Sequence, residues 1–180
     1  AFADVAHTLA TGRAPLRERL AVVADTPAAA REALAAWQSG DEVAGVFPGR
    51  AAPEPPAIAF LYTGQGSQRP GMARELYAAE PVVREVLDRA ASVLDGELGR
   101  PFLPLLFGEV DDPETLHRTS MAQPAIVAVE LALSALWRSW GVRPDRLLGH
   151  SVGEYAAAVD AGVMSFEDGL RLIAARGRLM

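Results

Sequence analysis

The chain has 180 residues, half of them apolar, and a formal charge of −6. That length and apolar content suit one globular domain, or one domain with part of another, and an acidic balance without any Lys/Arg run excludes nucleic acid as the partner. The absence of cysteine removes disulfides, thiolate metal sites and a cysteine nucleophile, and the three histidines lack metal-ligand spacing, so no metal is expected.

The most apolar long segment, residues 125–137, is interrupted by Glu130 and is too short to span a bilayer, so no membrane association is expected. No signal-peptide pattern is visible, which points to the cytoplasm. The chain begins without Met inside one helical pattern and stops at Met180 inside another, so it reads as a piece of a longer polypeptide.

In chain order, Phe2, Val5, Ala6 and Leu9 follow helical spacing, and Thr11-Gly12 ends the element. Residues 20–24 are short and β-rich, hence a strand. Thr26 as N-cap and Pro27 at the first helical position open a helix to about Gln38, and residues 43–47 suggest a second strand. This small α/β unit offers no chemistry. The prolines between Pro48 and Pro56 mark a linker and a domain boundary, giving domains of 1–55 and 56–180.

Residues 57–62 are a continuous apolar run of strand length, as for a strand buried on both faces of a parallel sheet. They lead into Thr63-Gly64-Gln65-Gly66-Ser67-Gln68-Arg69-Pro70-Gly71, whose glycines and proline forbid regular structure and expose backbone N–H groups at a strand's carboxyl end. Phosphate-loop spacing is absent. A loop of N–H donors and an ordinary tight turn are both compatible with this pattern.

Residues 81–94 form an amphipathic helix, 102–107 one or two helical turns, and Gln123-Pro124 opens a long helix with Trp137 and Trp140 on its core stripe. Arg146-Leu147-Leu148 then ends a strand, and Gly149-His150-Ser151-Val152-Gly153-Glu154 turns it into a small-residue helix. Glycines two residues either side of Ser151 let strand and helix approach closely, so the hydroxyl projects from a strained turn at a helix N-terminus that favours negative charge. A glycine-rich turn with an incidental serine fits the five residues equally well.

Ser165 and Asp168 form the cap of a last helix. Its buried face is Phe166, Leu170, Ile173, Gly177 and Met180; Arg176 lies roughly 80° from that face's centre, against roughly 140° and 120° for Arg171 and Arg178. Arg176 is thus placed to hold a carboxylate bidentately, or to lay its stem on apolar surface.

Taken together, residues 60–68, Gln123-Pro124-Ala125, the Gly149 to Tyr155 elbow and Arg176-Gly177-Arg178-Leu179-Met180 resemble the acyltransferase domains of modular type I polyketide synthases and the stand-alone malonyl-CoA:acyl-carrier-protein transacylases. The resemblance covers residues 57–180, and residues 1 to about 55 resemble the linker between ketosynthase and acyltransferase domains. The implied fold is an incomplete α/β-hydrolase-like parallel sheet with a nucleophile elbow, preceded by a small α/β linker domain. The implied activity is transfer of a malonyl-type acyl group from coenzyme A, through a seryl ester, to the phosphopantetheine thiol of an acyl carrier protein in polyketide biosynthesis.

The resemblance assigns Ser151 as nucleophile, the backbone N–H groups of Gln65 and Val152 as oxyanion hole, and Arg176 as the partner of the substrate's free carboxylate. Gly64, Gly66, Gln123, Gly149, His150 and Gly153 complete its motifs. An aliphatic residue at position 152 leans to malonyl-CoA over methylmalonyl-CoA. No cofactor is expected on the domain itself; the implied partners are acyl-CoA, a carrier protein and the adjacent ketosynthase. The family's catalytic histidine and small subdomain come from a segment outside these residues, so the chain alone is expected to be inactive or nearly so. Two other readings remain at this level: an α/β-hydrolase esterase, and a non-catalytic scaffold or docking piece of a synthase.

Overall fold

Capping chemistry starts the helix at Pro27 where the sequence puts its signals. The computed structural model describes residues 1–180, the side chain of Pro113 excepted, and divides into two units, residues 1–56 and 57–180. Each unit carries one two-stranded sheet, so the fold class is mixed α/β with small sheets.

The first unit consists of α1 (Phe2–Thr11), β1 (Glu18–Val22), α2 (Pro27–Gln38) and β2 (Val46–Arg50). Thr26 accepts the Ala29 amide at 3.1 Å and Pro27 occupies the first turn, where its missing N–H removes no helical bond. Strands β1 and β2 pair antiparallel with Leu20 opposite Pro48. The strand therefore runs through the start of the expected linker. A two-stranded ribbon leaves outward-facing N–H positions on both strands, so a proline fits without breaking the ladder.

The second unit consists of β3 (Ala59–Tyr62), α3 (Arg74–Ala79), α4 (Pro81–Leu98), α5 (Phe102–Leu106), a 3-10 turn (Pro113–His117), α6 (Thr119–Ser139), β4 (Arg146–Gly149), α7 (Gly153–Asp160) and α8 (Phe166–Leu179). Strands β3 and β4 are parallel, in register from Ala59–Arg146 to Tyr62–Gly149. Helix α6 is the centre of the unit, packed against α4, α7 and α8. Its buried Ala125, Val127, Ala128 and Leu131 meet Leu87 and Leu94 of α4 and Ile173 of α8 in one core. Each such leucine or isoleucine contributes about 1.5–3 kcal/mol by leaving water. A Cβ added at Gly177 would stand 2.9 Å from Ser120 Cα and 3.0 Å from Thr119 O, so α8 crosses the first turn of α6 at backbone distance.

Several expectations give way to the tertiary structure. Helix α6 begins at Thr119, one turn before Gln123, and Pro124 lies inside it. The Arg118 carbonyl accepts the Met121 and Ala122 amides, both at 2.8 Å, and complete burial of residues 122–128 holds the helix across the bond that proline removes. At 21 residues α6 is long and apolar enough to cross a membrane, contrary to the sequence reading, yet 61% of its most apolar stretch is buried in the fold, as in a core helix.

Trp137 and Trp140 are 47% and 56% exposed rather than core, and stack edge to face on each other. Trp137 faces β3 across a cavity of about 480 Å³ that Tyr62, Glu130 and Ser134 also line. The sheet there has only two strands. For the same reason β3 is not buried on both faces: Phe60, Tyr62 and Leu147 join the core, while Leu61 and Leu148 are 71% and 65% exposed. Met180 lies beyond the last helical residue and is exposed, so it leaves the expected buried face of α8.

Candidate active site

Ser151 occupies the turn between β4 and α7 with φ of 55°, a left-handed conformation that costs a non-glycine residue about 1–2 kcal/mol. Its side chain is exposed. The flanking residues hold it there: the His150 amide donates to Tyr62 O at 3.0 Å, continuing the β3–β4 ladder, while the Gly153 and Glu154 amides turn back to His150 O and Ser151 O at 3.1 and 3.2 Å. A side chain at Gly149 would meet Glu154 N at 2.3 Å, and one at Gly153 would meet Tyr62 O at 2.5 Å. Both positions require glycine because strand and helix pack backbone against backbone. Val152 is buried at the first turn of α7, in helical conformation.

The loop after β3 lies against this elbow. Gly64 passes so close to the His150 ring that a Cβ would fall 2.5 Å from Nδ1, and Gly66 turns the chain at φ 119°. Among the described residues, neither the Gln65 amide nor the Val152 amide donates to a protein acceptor. Two open N–H groups therefore lie on the two segments that bracket Ser151. The Gln65 side chain points the other way: its Oε1 accepts from Gln123 Nε2 at 3.1 Å and its Nε2 donates to Thr119 Oγ1 at 3.3 Å. Gln123 is buried, and its own Oε1 has no partner among the described residues.

On α8, Arg171 pairs with Asp168 and Arg178 with Glu97, both at the surface. Arg176 is half-buried with its guanidinium 5.7 Å above the Tyr155 ring, and its Nη1 is buried without a hydrogen-bond partner. A buried, unpaired guanidinium nitrogen is costly to leave so and is a ready donor for an anion. Close crossing of α8 over α6 at Gly177 sets Arg176 beside the segment that carries Gln123.

Two carboxylates brace these elements. Asp160, at the end of α7, accepts from Tyr62 Oη at 2.6 Å, from Ser134 Oγ at 2.9 Å, and from Arg138 Nε and Nη2 at 3.1 and 2.9 Å. Burial pushes its carboxyl up, but the Arg138, Tyr62 and Ser134 bonds together hold it below the usual carboxylate range. Burial and the Asp160 bond push the Tyr62 phenol up. This network ties β3, α6 and α7 into one frame behind the elbow. Glu130 of α6 meets the start of the loop: its Oε1 accepts the Thr63 amide at 2.5 Å and the Thr63 hydroxyl at 2.9 Å. Burial pushes Glu130 up to about 7, against the opposing pull of those two bonds.

The histidines serve elsewhere. His117 Nδ1 meets Gln68 Nε2 at 3.2 Å, His7 lies on α1, and among the described residues no histidine is hydrogen-bonded to Ser151. Nor does any group of three His, Asp or Glu gather to hold a metal among them. Sequence reasoning gave no role of their own to Thr63, Glu130 and Tyr155. The signal for Glu130 was a single charge inside an otherwise apolar stretch.

A serine held in strained geometry at a strand–helix turn, next to open backbone amides, defines the class: an α/β protein with a serine elbow. The chain belongs to the acyl transferase domain family, which matches residues 59–180. Residues 1–41 match the RhiE-like, KS-MAT linker domain. The resemblance read from the four motifs is borne out.

The chain is 45% identical over 179 residues to the spectinabilin polyketide synthase system protein NorB of Streptomyces orinoci, covering 98% of this chain and 8% of that protein. Among solved structures it is similar to the acyltransferase domain from the second module of the salinomycin polyketide synthase, with a TM-score of 0.79 and 42% identity over 100% of this chain and 41% of that one. It is also similar to the malonyl-transacylase solved in complex with its type II acyl-carrier protein, with a TM-score of 0.61 and 36% identity over 69% of this chain and 38% of that one. The chain thus spans under a tenth of that synthase and about two-fifths of the solved domains.

Proposed function

We propose that this chain is the N-terminal part of an acyltransferase domain that moves a malonyl-type acyl group from coenzyme A to an acyl carrier protein in polyketide biosynthesis. Ser151 Oγ attacks the thioester carbonyl, loses its proton to a general base, and expels the coenzyme A thiolate to leave a seryl ester. The carrier's phosphopantetheine thiol then attacks that ester, and the serine is regenerated. The Gln65 and Val152 amides stabilise the oxyanion in both halves, each worth about 3–4 kcal/mol in the transition state. The Arg176 guanidinium binds the free carboxylate of the malonyl group, and Val152 leans the preference toward malonyl over methylmalonyl.

The observation that carries the reading is the conjunction at the elbow: an exposed serine at φ 55° between segments with open amides, and an arginine nitrogen buried without a partner. The carrier partner is supported by the malonyl-transacylase relative, which was solved with its acyl-carrier protein. On this reading residues 1–55 are the linker to a ketosynthase, residues 56–180 begin an α/β-hydrolase-like acyltransferase domain, the domain holds no cofactor of its own, and the protein is cytoplasmic.

The test is intact-mass spectrometry of the full-length polypeptide and its Ser151→Ala variant after brief exposure to malonyl-CoA. A malonyl increment on the wild type that maps to Ser151, is absent from the variant, and moves to carrier protein in preference to water is expected. An adduct that persists in the variant would overturn the assignment, and release to water alone would favour an esterase. A scaffold role is the second reading, favoured by the absence of any histidine bonded to Ser151 among the described residues; a wild type that never acquires an acyl group would favour it.

A further inference from the structure

The loop that carries Gln65 is held at its root by one side chain from another element. Thr63 is the first residue after β3, and both of its donors converge on a single oxygen, Oε1 of Glu130, at 2.5 Å from the amide and 2.9 Å from the hydroxyl. The same hydroxyl lies 3.0 Å from Ser67 Oγ, and Ser67 Oγ reaches back to Gly64 O at 3.4 Å. Within residues 63–67, α6 thus meets the Thr63 node through Glu130 and the Gln65 side chain through Gln123 and Thr119.

The node is an unfavourable place for a carboxylate. Neighbouring Val127, Leu131 and Ala132 on α6 are buried, and the second oxygen of Glu130 is buried without a partner. The nearby charges are engaged with each other: Arg138 of α6 forks onto Asp160 of α7, and the Tyr62 phenol of β3 donates to the same carboxylate. Among the described residues no cation pairs with Glu130, and burial pushes it up to about 7. Glu130 is half-buried beside the cavity that Tyr62, Ser134 and Trp137 line, and a carboxylate there gives up part of its hydration. What the carboxylate supplies is a strong acceptor for two donors at the point where the chain leaves β3.

We propose that Glu130 is a positioning residue for the donor loop: by holding Thr63 through both its amide and its hydroxyl, it fixes the direction in which the Gln65 amide points, two residues on. This rests on the reading of Gln65 as an oxyanion donor. Glu130 touches neither acyl group nor thioester. Its effect runs through the geometry of an amide that matters in the transition state more than in substrate binding, so it belongs in kcat rather than KM.

The test measures acyl-enzyme formation from malonyl-CoA by rapid quench and mass spectrometry on the full-length polypeptide, with melting temperature as a folding control. Glu130→Ala is expected to lower kcat about tenfold to a hundredfold, the effect of misplacing a donor by an ångström or less, with KM within about twofold. Glu130→Gln keeps an acceptor oxygen and is expected to return to within about threefold of wild type. Should Glu130→Ala fail to fold, the Thr63 pair decides: Thr63→Val loses the hydroxyl and slows the step about three- to tenfold, whereas Thr63→Ser keeps both donors and does not.

A folded Glu130→Ala or Thr63→Val variant with unchanged kcat overturns the proposal, as does a loss confined to KM or one that glutamine does not relieve. A wild type that forms no acyl adduct at Ser151 refutes the functional reading itself. That result is distinct from an acylating wild type whose Glu130 variants acylate equally well.

Discussion

Gly153 is a sharp test of the elbow, because the added group is one methyl and its neighbours are backbone. A Cβ at this position would lie 2.5 Å from Tyr62 O, 2.6 Å from Tyr62 C and 2.7 Å from Thr63 O, against the 3.4 Å at which van der Waals contact becomes ordinary. The start of α7 must therefore withdraw from the end of β3 by about 0.9 Å, since neither partner is a side chain that can swing aside. Withdrawal moves Ser151 and the Val152 amide away from the Gln65 amide. Overpacking of this kind costs about 1–3 kcal/mol of stability, and an ångström of misplacement at reacting groups costs about a hundredfold in rate.

Gly153→Ala is accordingly expected to lower the rate of seryl-ester formation from malonyl-CoA by about tenfold to a hundredfold and to lower the melting temperature. Gly96→Ala is the control. Gly96 lies in α4 with nothing within 4 Å of the added methyl, so that variant should gain about 0.5–1 kcal/mol from helix propensity and acylate normally. A Gly153→Ala enzyme that acylates within threefold of wild type at an unchanged melting temperature would refute the claim that the backbone contact sets the geometry.

Arg176→Ala should reduce acylation by malonyl-CoA about tenfold to a hundredfold, the worth of a charge-assisted hydrogen bond, and acylation by acetyl-CoA far less, because only malonyl carries a carboxylate; equal losses would remove the reason for the assignment. Stability should respond to pH through Glu130. Its carboxyl is raised from 4.5 to about 7 in the fold, so the native state binds the extra proton, and the resulting stabilisation is complete below 4.5 and is lost as pH rises through 7. Urea midpoints of the chain and of Glu130→Gln at pH 5 and 7.5 check this, and identical slopes would refute it. Asp160 acts in the opposite sense. Its carboxyl is held low, so its contribution is present above the ordinary carboxylate range and is lost as acid protonates it; Asp160→Asn should lower the melting temperature most at neutral pH and least at pH 3.

The amino-acid sequence by itself determined the local features whose causes lie within a few residues. Thr26-Pro27 opens α2, Ser165 caps α8 by accepting the Asp168 amide, and the glycines either side of Ser151 admit the elbow. The resemblance carried by four motifs in order also pointed to the family, which matches residues 59–180. What lay beyond it was decided by neighbours far along the chain. Pro124 sits inside α6 because burial of the surrounding turns outweighs one lost hydrogen bond, and Trp137 stands exposed beside the two strands of a chain that spans about two-fifths of the solved domains.

The node of Thr63 and Glu130 joins residues 67 positions apart, and the Tyr62–Asp160 bond joins residues 98 apart. No periodicity encodes such pairs. A lone acid in an apolar helix signals that something must receive it, but only the tertiary structure, by laying the end of β3 across α6, names the amide and hydroxyl that do.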